Sequence, residues 1–229
     1  MIAVLEDLRS AELSELSPRL LALPLGATEQ HGPHLALGTD SRIAMALACR
    51  LAERRPDVVV APVLPYGSSG EHAGFAGTLS IGQELVARVL IEIARSMGPE
   101  FKGLVVVSAH GGNLDPVGRA MEVLRGEGRR ALAWSPVVPG GDAHAGNVET
   151  SLLLALAPEL VRMDLARPGH TGPLTAIIGN LKNRGIRAVA PNGVLGDPTC
   201  ATAEEGHRLL DYLTDQLTRA VERVFPREA

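Results

Sequence analysis

The chain has 229 residues, of which 45% are hydrophobic, 21% charged and only 3% aromatic, and its formal net charge is −4. This composition is typical of a globular protein long enough to bury a substantial core, and so few aromatic residues argue against a surface that stacks nucleic-acid bases. The acidic balance argues against electrostatic binding to nucleic acid or to an anionic membrane, so neither is expected as a partner.

Apolar runs alternate with amphipathic stretches along the chain. Nearly continuous runs of Val, Leu and Ala predict strands at 20–26, 58–64, 103–109 and 130–136. Helical periodicity predicts helices at 41–55, 83–97, 115–125 and 203–224 and in the Leu-rich stretch around Glu149. Such strands are typical of a sheet covered on both faces, so we expect an α/β fold with three layers, α/β/α, and a mostly parallel sheet.

No repeat or linker divides the sequence, so we expect one domain over 1–229. The segment 167–192 has no regular pattern, and it is interpreted as a lid, a subunit contact or both. The acidic N-terminal stretch lacks the basic start and apolar run of a signal peptide, and no apolar run reaches 18 residues; we therefore expect a cytoplasmic location. Cys49 and Cys200 lack metal or redox spacing and are expected to be small buried hydrophobes.

Side chains that can bind metal or transfer protons follow each predicted strand. Sheets of this kind place ligand sites outside the carboxyl ends of their strands. Five of the seven histidines lie in these strand-exit loops, each near glycine. The residues concerned are Glu29, His31 and His34 after the first strand, Glu71 and His72 after the second, His110 after the third, and Asp142 and His144 after the fourth.

The first exit loop carries the strongest ligand pattern. Glu29 and His31 are two residues apart, so their side chains point the same way in an extended chain. Asp40 precedes a predicted helix and by itself would be interpreted as a helix N-cap, but beside Glu29 and His31 metal ligation is the better interpretation. His34 is interpreted as a loop histidine or a neighbour of the ligands.

The third exit loop reads SAHGGN. His110 could merely end the strand, yet Gly111 and Gly112 after it would let the backbone approach a ligand closely. Asn113 is either a positioning residue or the N-cap of the next helix.

The fourth exit loop, GGDAHAGNVETS, leads into a helix with Glu149 in its first turn. Glu149 could simply favour the helix macrodipole, but a carboxylate and the imidazole of His144 beside a metal are what proton transfer in hydrolysis needs. Ligands of the Glu, Asp and His type suit Zn²⁺, Fe²⁺ or Mn²⁺. Four or five ligands exceed the need of one catalytic ion, so two divalent ions about 3.5–4 Å apart, bridged by a carboxylate, fit better.

Four motifs occur in an order and spacing that resemble the creatininase (creatinine amidohydrolase) family: GATEQHGPHLALGTD, YGSSGEHAGFAGTLSIG, VVVSAHGGN and GDAHAGNVETS. The later GVLGDPTCATAEEG extends the likeness to the branch of peptidases that works in mycofactocin biosynthesis. The resemblance implies a creatininase-like fold and a metal-dependent hydrolase of C–N bonds. It also implies release of a Val-Tyr-derived unit from a modified precursor peptide, and a closed homo-oligomer, commonly a hexamer.

The resemblance also assigns roles to particular residues. Glu29, His31, Asp40 and His110 match the family's metal ligands, with Asp40 as the bridge, and His144 matches the catalytic histidine. Creatininase has a glutamate ligand where this chain has Gly112, and we infer that Glu149 replaces it; Glu149 could instead carry protons. The residues expected at the substrate are Glu71, His72, Gly111, Gly112, Asn113 and Asp142.

Two alternatives stay open at this point. A creatininase-like amidohydrolase or deformylase would act on a small cyclic or formyl amide, although the tryptophans of creatininase's substrate lid have no clear counterpart, because Trp134 is the only tryptophan here. A metal-dependent scaffold without turnover is disfavoured, because the ligand residues and His144 are all kept.

Overall fold

The computed structural model describes residues 2–15 and 18–227. Its five strands form one sheet and are flanked by seven α-helices within the described residues. The strands are β1 (Ala3–Val4), β2 (Arg19–Leu25), β3 (Val58–Val60), β4 (Phe101–Ser108) and β5 (Ala131–Trp134). The helices are α1 (Ser10–Glu15), α2 (Thr39–Arg54), α3 (Gly82–Ser96), α4 (Leu114–Gly126), α5 (Asn147–Leu156), α6 (Leu174–Arg184) and α7 (Ala203–Val224).

The strands lie in the order β1-β3-β2-β4-β5 and every pairing is parallel, which confirms the predicted α/β class. Alternate residues of the central strands point to opposite faces. Leu20 and Ala22 pack with α2, α5 and α7, whereas Leu21 and Leu23 pack with α3 and α4. The three-layer expectation is therefore confirmed, with both faces of the sheet covered by helices.

The structure differs from the prediction at 58–64 and at 167–192. The strand expected at 58–64 ends at Val60, because Pro62 has no N–H for the ladder; the chain returns to the sheet only at Leu64, bridged to Leu25. The irregular segment 167–192 contains α6, whose Ile177 and Leu181 pack in a small apolar cluster of their own. This helix was not predicted because so short an apolar stripe depends on tertiary packing.

The expectation of two buried cysteines is wrong. Cys49 is half-buried in α2, but Cys200 is exposed because it lies in a surface turn, Pro198–Cys200, just before α7. Within the described residues, no helix is long and apolar enough to cross a membrane. The single domain over 1–229 and the cytoplasmic location stay predictions.

Candidate metal centre

The ligand residues predicted from sequence meet at the carboxyl edge of the sheet. Glu29 and His31 lie in the loop after β2, Asp40 in the first turn of α2, and His110 directly after β4; all four are almost completely buried. The β2 loop passes close to the start of α2 at Gly26, where a Cβ would lie 2.4 Å from Ser41 Oγ. Glycine at this position therefore allows the loop and the helix to bring their side chains together.

Glu29 and Asp40 are surrounded by imidazole nitrogens. Glu29 Oε1 lies 3.2 Å from His110 Nδ1 and 3.8 Å from His144 Nδ1. One oxygen of Asp40 lies 3.1 Å from His31 Nε2, and its other oxygen lies 3.5 Å from His110 Nδ1. Asp40 thus faces two histidines with two different oxygens, as a bridging ligand would.

Glu149 approaches the same cluster from the first turn of α5. Its Oε2 lies 3.7 Å from His31 Nε2 and 3.9 Å from His144 Nδ1, and it accepts a hydrogen bond of 2.6 Å from the Ala145 amide. Three sets of side chains offer nitrogen and oxygen atoms close enough to share an ion. These are Glu29 with His72 and His110, Glu29 with His31 and His144, and His31 with Asp40 and Glu149.

Three oxygens of the buried carboxylates lack hydrogen-bond donors. Among residues 2–15 and 18–227, no group donates to either oxygen of Glu29 or to Asp40 Oδ2, although these atoms are shielded from solvent. A buried carboxylate without partners is costly, so this arrangement favours a cation. Burial opposes a charge on His31, yet the carboxylates of Asp40, Glu149 and Glu29 outweigh it and raise the pKa of His31 to about 10. The donor set therefore fits divalent metal ions.

Three histidines are held by backbone carbonyls in the orientation of metal ligands. His31 Nδ1 lies 3.1 Å from Glu29 O, His110 Nε2 lies 2.9 Å from Ser68 O, and His144 Nε2 lies 3.0 Å from Gln30 O. A carbonyl oxygen only accepts, so each of these ring nitrogens carries the proton. The opposite nitrogen of each ring faces the carboxylates, and a metal ion that displaces any proton there can bind its lone pair.

His72 and Gln30 belong to the cluster, although sequence reasoning gave the first a substrate role and the second none. His72, in the turn Gly70–His72, has Nε2 3.2 Å from Glu29 Oε1 without hydrogen-bond geometry. Burial, together with the positive charges on His110 and His31, lowers the pKa of His72 to about 3. Gln30 is buried between the rings of His72 and His144. The sequence signal that could have indicated Gln30 is its position between the two predicted ligands Glu29 and His31.

Gly112 is a close-packed position, as the glycine pair suggested. A Cβ there would lie 2.2 Å from Ser68 O and 2.4 Å from Glu71 Oε1. Glu71 also lies 3.7 Å from His110 Nε2, and burial raises the pKa of its carboxyl group. The space that a side chain at position 112 would need is thus already filled, whereas Gly111 has nothing within 4 Å of its Cβ position.

Asn113 and Asp142 were expected at the substrate, which stays a prediction; in the structure their side chains bond to backbone groups. Asn113 accepts from the Ser68 amide at 2.9 Å and donates to Gly26 O at 3.0 Å, so it ties three strand-exit loops together. Asp142 accepts from the backbone amides of Asn147 and Val148 at the start of α5. It therefore caps this helix.

His34 lies next to the cluster and not within it. It is buried, and its Nε2 lies 2.9 Å from Thr150 Oγ1. Burial is the larger cause, and the charge on His31 the smaller, that lowers the pKa of His34 to about 4.

A cavity of about 710 Å³ opens onto this centre. Its polar floor includes Glu71, His72, His110, Gly111, Gly112 and His144. Its apolar wall includes Leu174, Ile178 and Leu181 of α6, together with Ile186 and Leu195. The segment 167–192 thus contributes part of the cavity wall, as its interpretation as a lid requires.

Comparison with known proteins identifies the relatives of this chain. The family model for creatininase, "creatinine amidohydrolase", matches residues 6–221. The chain is 44% identical to a mycofactocin precursor peptide peptidase of Mycobacterium tuberculosis (strain CDC 1551 / Oshkosh) over 99% of this chain and 94% of that protein. It is 45% identical to the protein of the same name from Mycobacterium ulcerans (strain Agy99), over 95% of this chain and 90% of that one.

Solved structures agree with the sequence relatives. The crystal structure of creatinine amidohydrolase (creatininase) superimposes with a TM-score of 0.84 at 25% identity, over 99% of both chains. A manganese form of creatininase gives a TM-score of 0.83 at 25% identity, over 99% of this chain and all of that one.

Proposed function

This chain belongs to the creatininase family, and we propose that it is a metal-dependent peptidase that releases the C-terminal, Val-Tyr-derived unit of the mycofactocin precursor peptide. It is a hydrolase of carbon–nitrogen bonds, as amidohydrolases of this family are. The observation that carries the metal-dependent chemistry is the set of buried carboxylate oxygens without donors, facing imidazole nitrogens at the floor of a cavity. The peptide as substrate is supported by the identity of 44% over nearly the whole chain.

We propose that two divalent ions are held by Glu29, His31, Asp40, His110 and Glu149, with Asp40 between them. When bound, such ions polarise the amide carbonyl and activate the attacking water. Zn²⁺, Fe²⁺ and Mn²⁺ all suit oxygen and imidazole ligands. Glu149 supplies the carboxylate that Gly112 cannot, because its Oε2 lies 3.7 Å from His31 Nε2.

His144 is proposed to transfer the proton. Its ring lines the cavity, and its Nδ1 carries the free lone pair because Nε2 donates to Gln30 O. Burial, with the neighbouring His31, His72 and His110, lowers the pKa of His144, so the ring is neutral and able to accept a proton from water. It then returns that proton to the amide nitrogen that leaves.

The shape of the cavity supports a substrate with an apolar end. A volume of about 710 Å³ lies within the range of sites that enclose ligands of drug size. Leu174, Ile178 and Leu181 form an aliphatic wall beside the polar floor, which suits Val- and Tyr-derived groups next to the amide that is cut. Trp134 lies in β5 and packs on the core, so no tryptophan takes part in this wall.

The direct test is incubation with the modified precursor peptide, followed by mass spectrometry. We expect two products, the shortened peptide and the Val-Tyr-derived unit, and loss of both when the protein is stripped of metal. Creatinine and a formyl amide serve as competing substrates in parallel reactions. Turnover of either of these, without cleavage of the peptide, would replace the proposed substrate with a small amide.

A matched pair of leucines tests the apolar wall. Leu174 is 41% exposed and lines the cavity, whereas Leu165 is 39% exposed and lies outside it. Losing a partly buried leucine contact with the substrate removes about 1–2 kcal/mol of binding, so Leu174→Ser should raise KM about 5- to 30-fold. Leu165→Ser should leave KM unchanged; equal effects of the two substitutions would remove α6 from the substrate site.

We also propose a closed homo-oligomer, commonly a hexamer in this family. Its support on this chain is a set of exposed apolar side chains, which includes Leu79, Leu85 and Val137. Light scattering coupled to size-exclusion chromatography measures the mass, and a monomer at micromolar concentration would contradict the proposal.

A further inference from the structure

Gln30 is held in one orientation by two backbone groups. Its Oε1 accepts from the Gly32 amide at 2.9 Å, and its Nε2 donates to Gly193 O at 3.0 Å. An amide N–H can only donate and a carbonyl oxygen can only accept, so these contacts fix which end of the side-chain amide is oxygen and which is nitrogen. One N–H of the Gln30 amide is left for another acceptor.

Two histidine rings compete for that N–H. Gln30 Nε2 lies 3.0 Å from His72 Nδ1 and 3.2 Å from His144 Nε2. His144 Nε2 is itself a donor, because it lies 3.0 Å from the backbone carbonyl of Gln30. Two donors cannot hydrogen-bond to each other, so the N–H of Gln30 goes to His72 Nδ1, which must be unprotonated.

The protonation of His72 follows from this contact. A neutral imidazole with an unprotonated Nδ1 carries its proton on Nε2, and this is the nitrogen that lies 3.2 Å from Glu29 Oε1. His72 therefore presents an N–H to the centre, whereas His31, His110 and His144 bond a backbone carbonyl through the far nitrogen and keep the near nitrogen available for a metal ion. Proximity alone groups His72 with Glu29 and His110 as a possible ligand set, but an N–H cannot coordinate a metal ion.

We propose that Gln30 is a positioning residue that keeps His72 as an N–H donor at the edge of the metal centre and excludes it from the metal ligands. The inference rests on the proposed metal centre but not on the identity of the substrate. His72 also lines the cavity, so its N–H would be within reach of a bound amide there. Gln30 thus gives the two neighbouring rings different roles. His72 donates a hydrogen bond, whereas His144 is proposed to accept a proton.

The test uses ¹⁵N NMR of protein labelled at histidine, metal-free and then titrated with Zn²⁺ alone at neutral pH. The His72 and His144 signals are assigned with His72→Gln and His144→Gln. We expect His72 to carry its proton on Nε2 in both states, while the signals of His31 Nε2 and His110 Nδ1, which face the carboxylates, shift on zinc binding. Loss of the Nε2 proton of His72 on zinc binding, or a proton on its Nδ1 in the metal-free protein, would overturn the proposal.

Gln30→Glu replaces the donating amide nitrogen with an oxygen that only accepts. We expect the proton to move to His72 Nδ1, and turnover to fall about 2- to 12-fold, the effect of losing one neutral hydrogen bond to the substrate. The control is Gln216→Glu, the same change at a half-buried position of α7, which should leave the His72 signals unaltered. An unchanged His72 pattern in folded Gln30→Glu protein would refute the role of Gln30. Failure of the wild-type protein to bind zinc would instead contradict the proposed metal centre.

Discussion

Both ends of the sheet bury charged side chains. Those at the amino end have hydrogen-bond partners, whereas several carboxylate oxygens at the carboxyl end have none within the described residues. At the amino end, Arg55 is fully buried and donates to both oxygens of Asp57, at 2.9 and 2.8 Å, and to Phe225 O at 3.1 Å. Lys102 adds a third cation contact to Asp57 at 3.0 Å. At the carboxyl end, both oxygens of Glu29 and one of Asp40 receive no hydrogen bond from the described residues.

The difference separates a structural ion pair from a ligand site. A buried charge is tolerated when its partner and its hydrogen bonds are complete, which is the case for Arg55. Carboxylates left without donors raise the free energy of the folded protein unless a cation joins them. The same kinds of residue therefore stabilise the fold at one end of the sheet and are available to bind metal at the other.

The largest effect is expected from Asp40→Asn. Asp40 faces His31 and His110 with separate oxygens, so its loss should release both metal ions and reduce turnover to background. Metal at 100 times its Kd adds about 2.7 kcal/mol to stability, or about 5–11 °C in Tm for a chain of this size. Wild-type protein should show this rise on adding metal and Asp40→Asn should not. Full metal content in the variant would end the bridging assignment.

His144→Gln should affect turnover without affecting the ions. General acid–base help is worth about 10²–10⁴ in rate, so turnover of the peptide should fall by that factor. Metal analysis should still find the wild-type content, because the five proposed ligands are unchanged. Near-normal turnover by metal-replete His144→Gln protein would assign the proton transfer to Glu149 instead.

Asp57→Asn makes the same chemical change as Asp40→Asn at the other end of the sheet. Removing one partner of a buried ion pair costs about 3–5 kcal/mol, and we expect the lower end of that range because the Asp57 side chain is 27% exposed. Urea unfolding measures this loss. Metal content and the rise in Tm on adding metal should stay as in wild type; a loss of metal would erase the contrast between the two ends.

The smallest expected effect is a pH dependence in acid. The hydrogen bonds from Arg55, opposed in part by burial and aided by Lys102, lower the pKa of Asp57 in the folded protein. A lowered folded pKa gives stability that is present above the unfolded value of about 3.9 and is lost as pH falls through the folded value. The stability difference between wild type and Asp57→Asn, measured without metal, should therefore shrink below about pH 4. A difference independent of pH would show that the charge of Asp57 contributes nothing.

Much of the candidate site could be predicted from sequence because its residues lie where the apolar strands of the pattern end. Glu29, His31 and His110 follow apolar strands, and parallel strands bring their carboxyl ends to one edge. The roles of Asn113 and Asp142 could not be predicted in this way. Their side chains bond to backbone groups of other loops, or of a helix start, whose positions are set only by the fold.

The sequence by itself determined the alternation of strands and helices, the edge at which the ligand residues gather, and the family motifs, because these depend on local periodicity and short spacing. Only the tertiary structure decided that α6 lines the cavity and that His72 approaches Glu29. It also decided the hydrogen-bond partners of His31, His72, His110 and His144, from which the protonated nitrogen of each ring is inferred. Each of these depends on a contact between residues far apart in the chain, such as Gln30 with Gly193, and no local pattern encodes the direction of a hydrogen bond across such a distance.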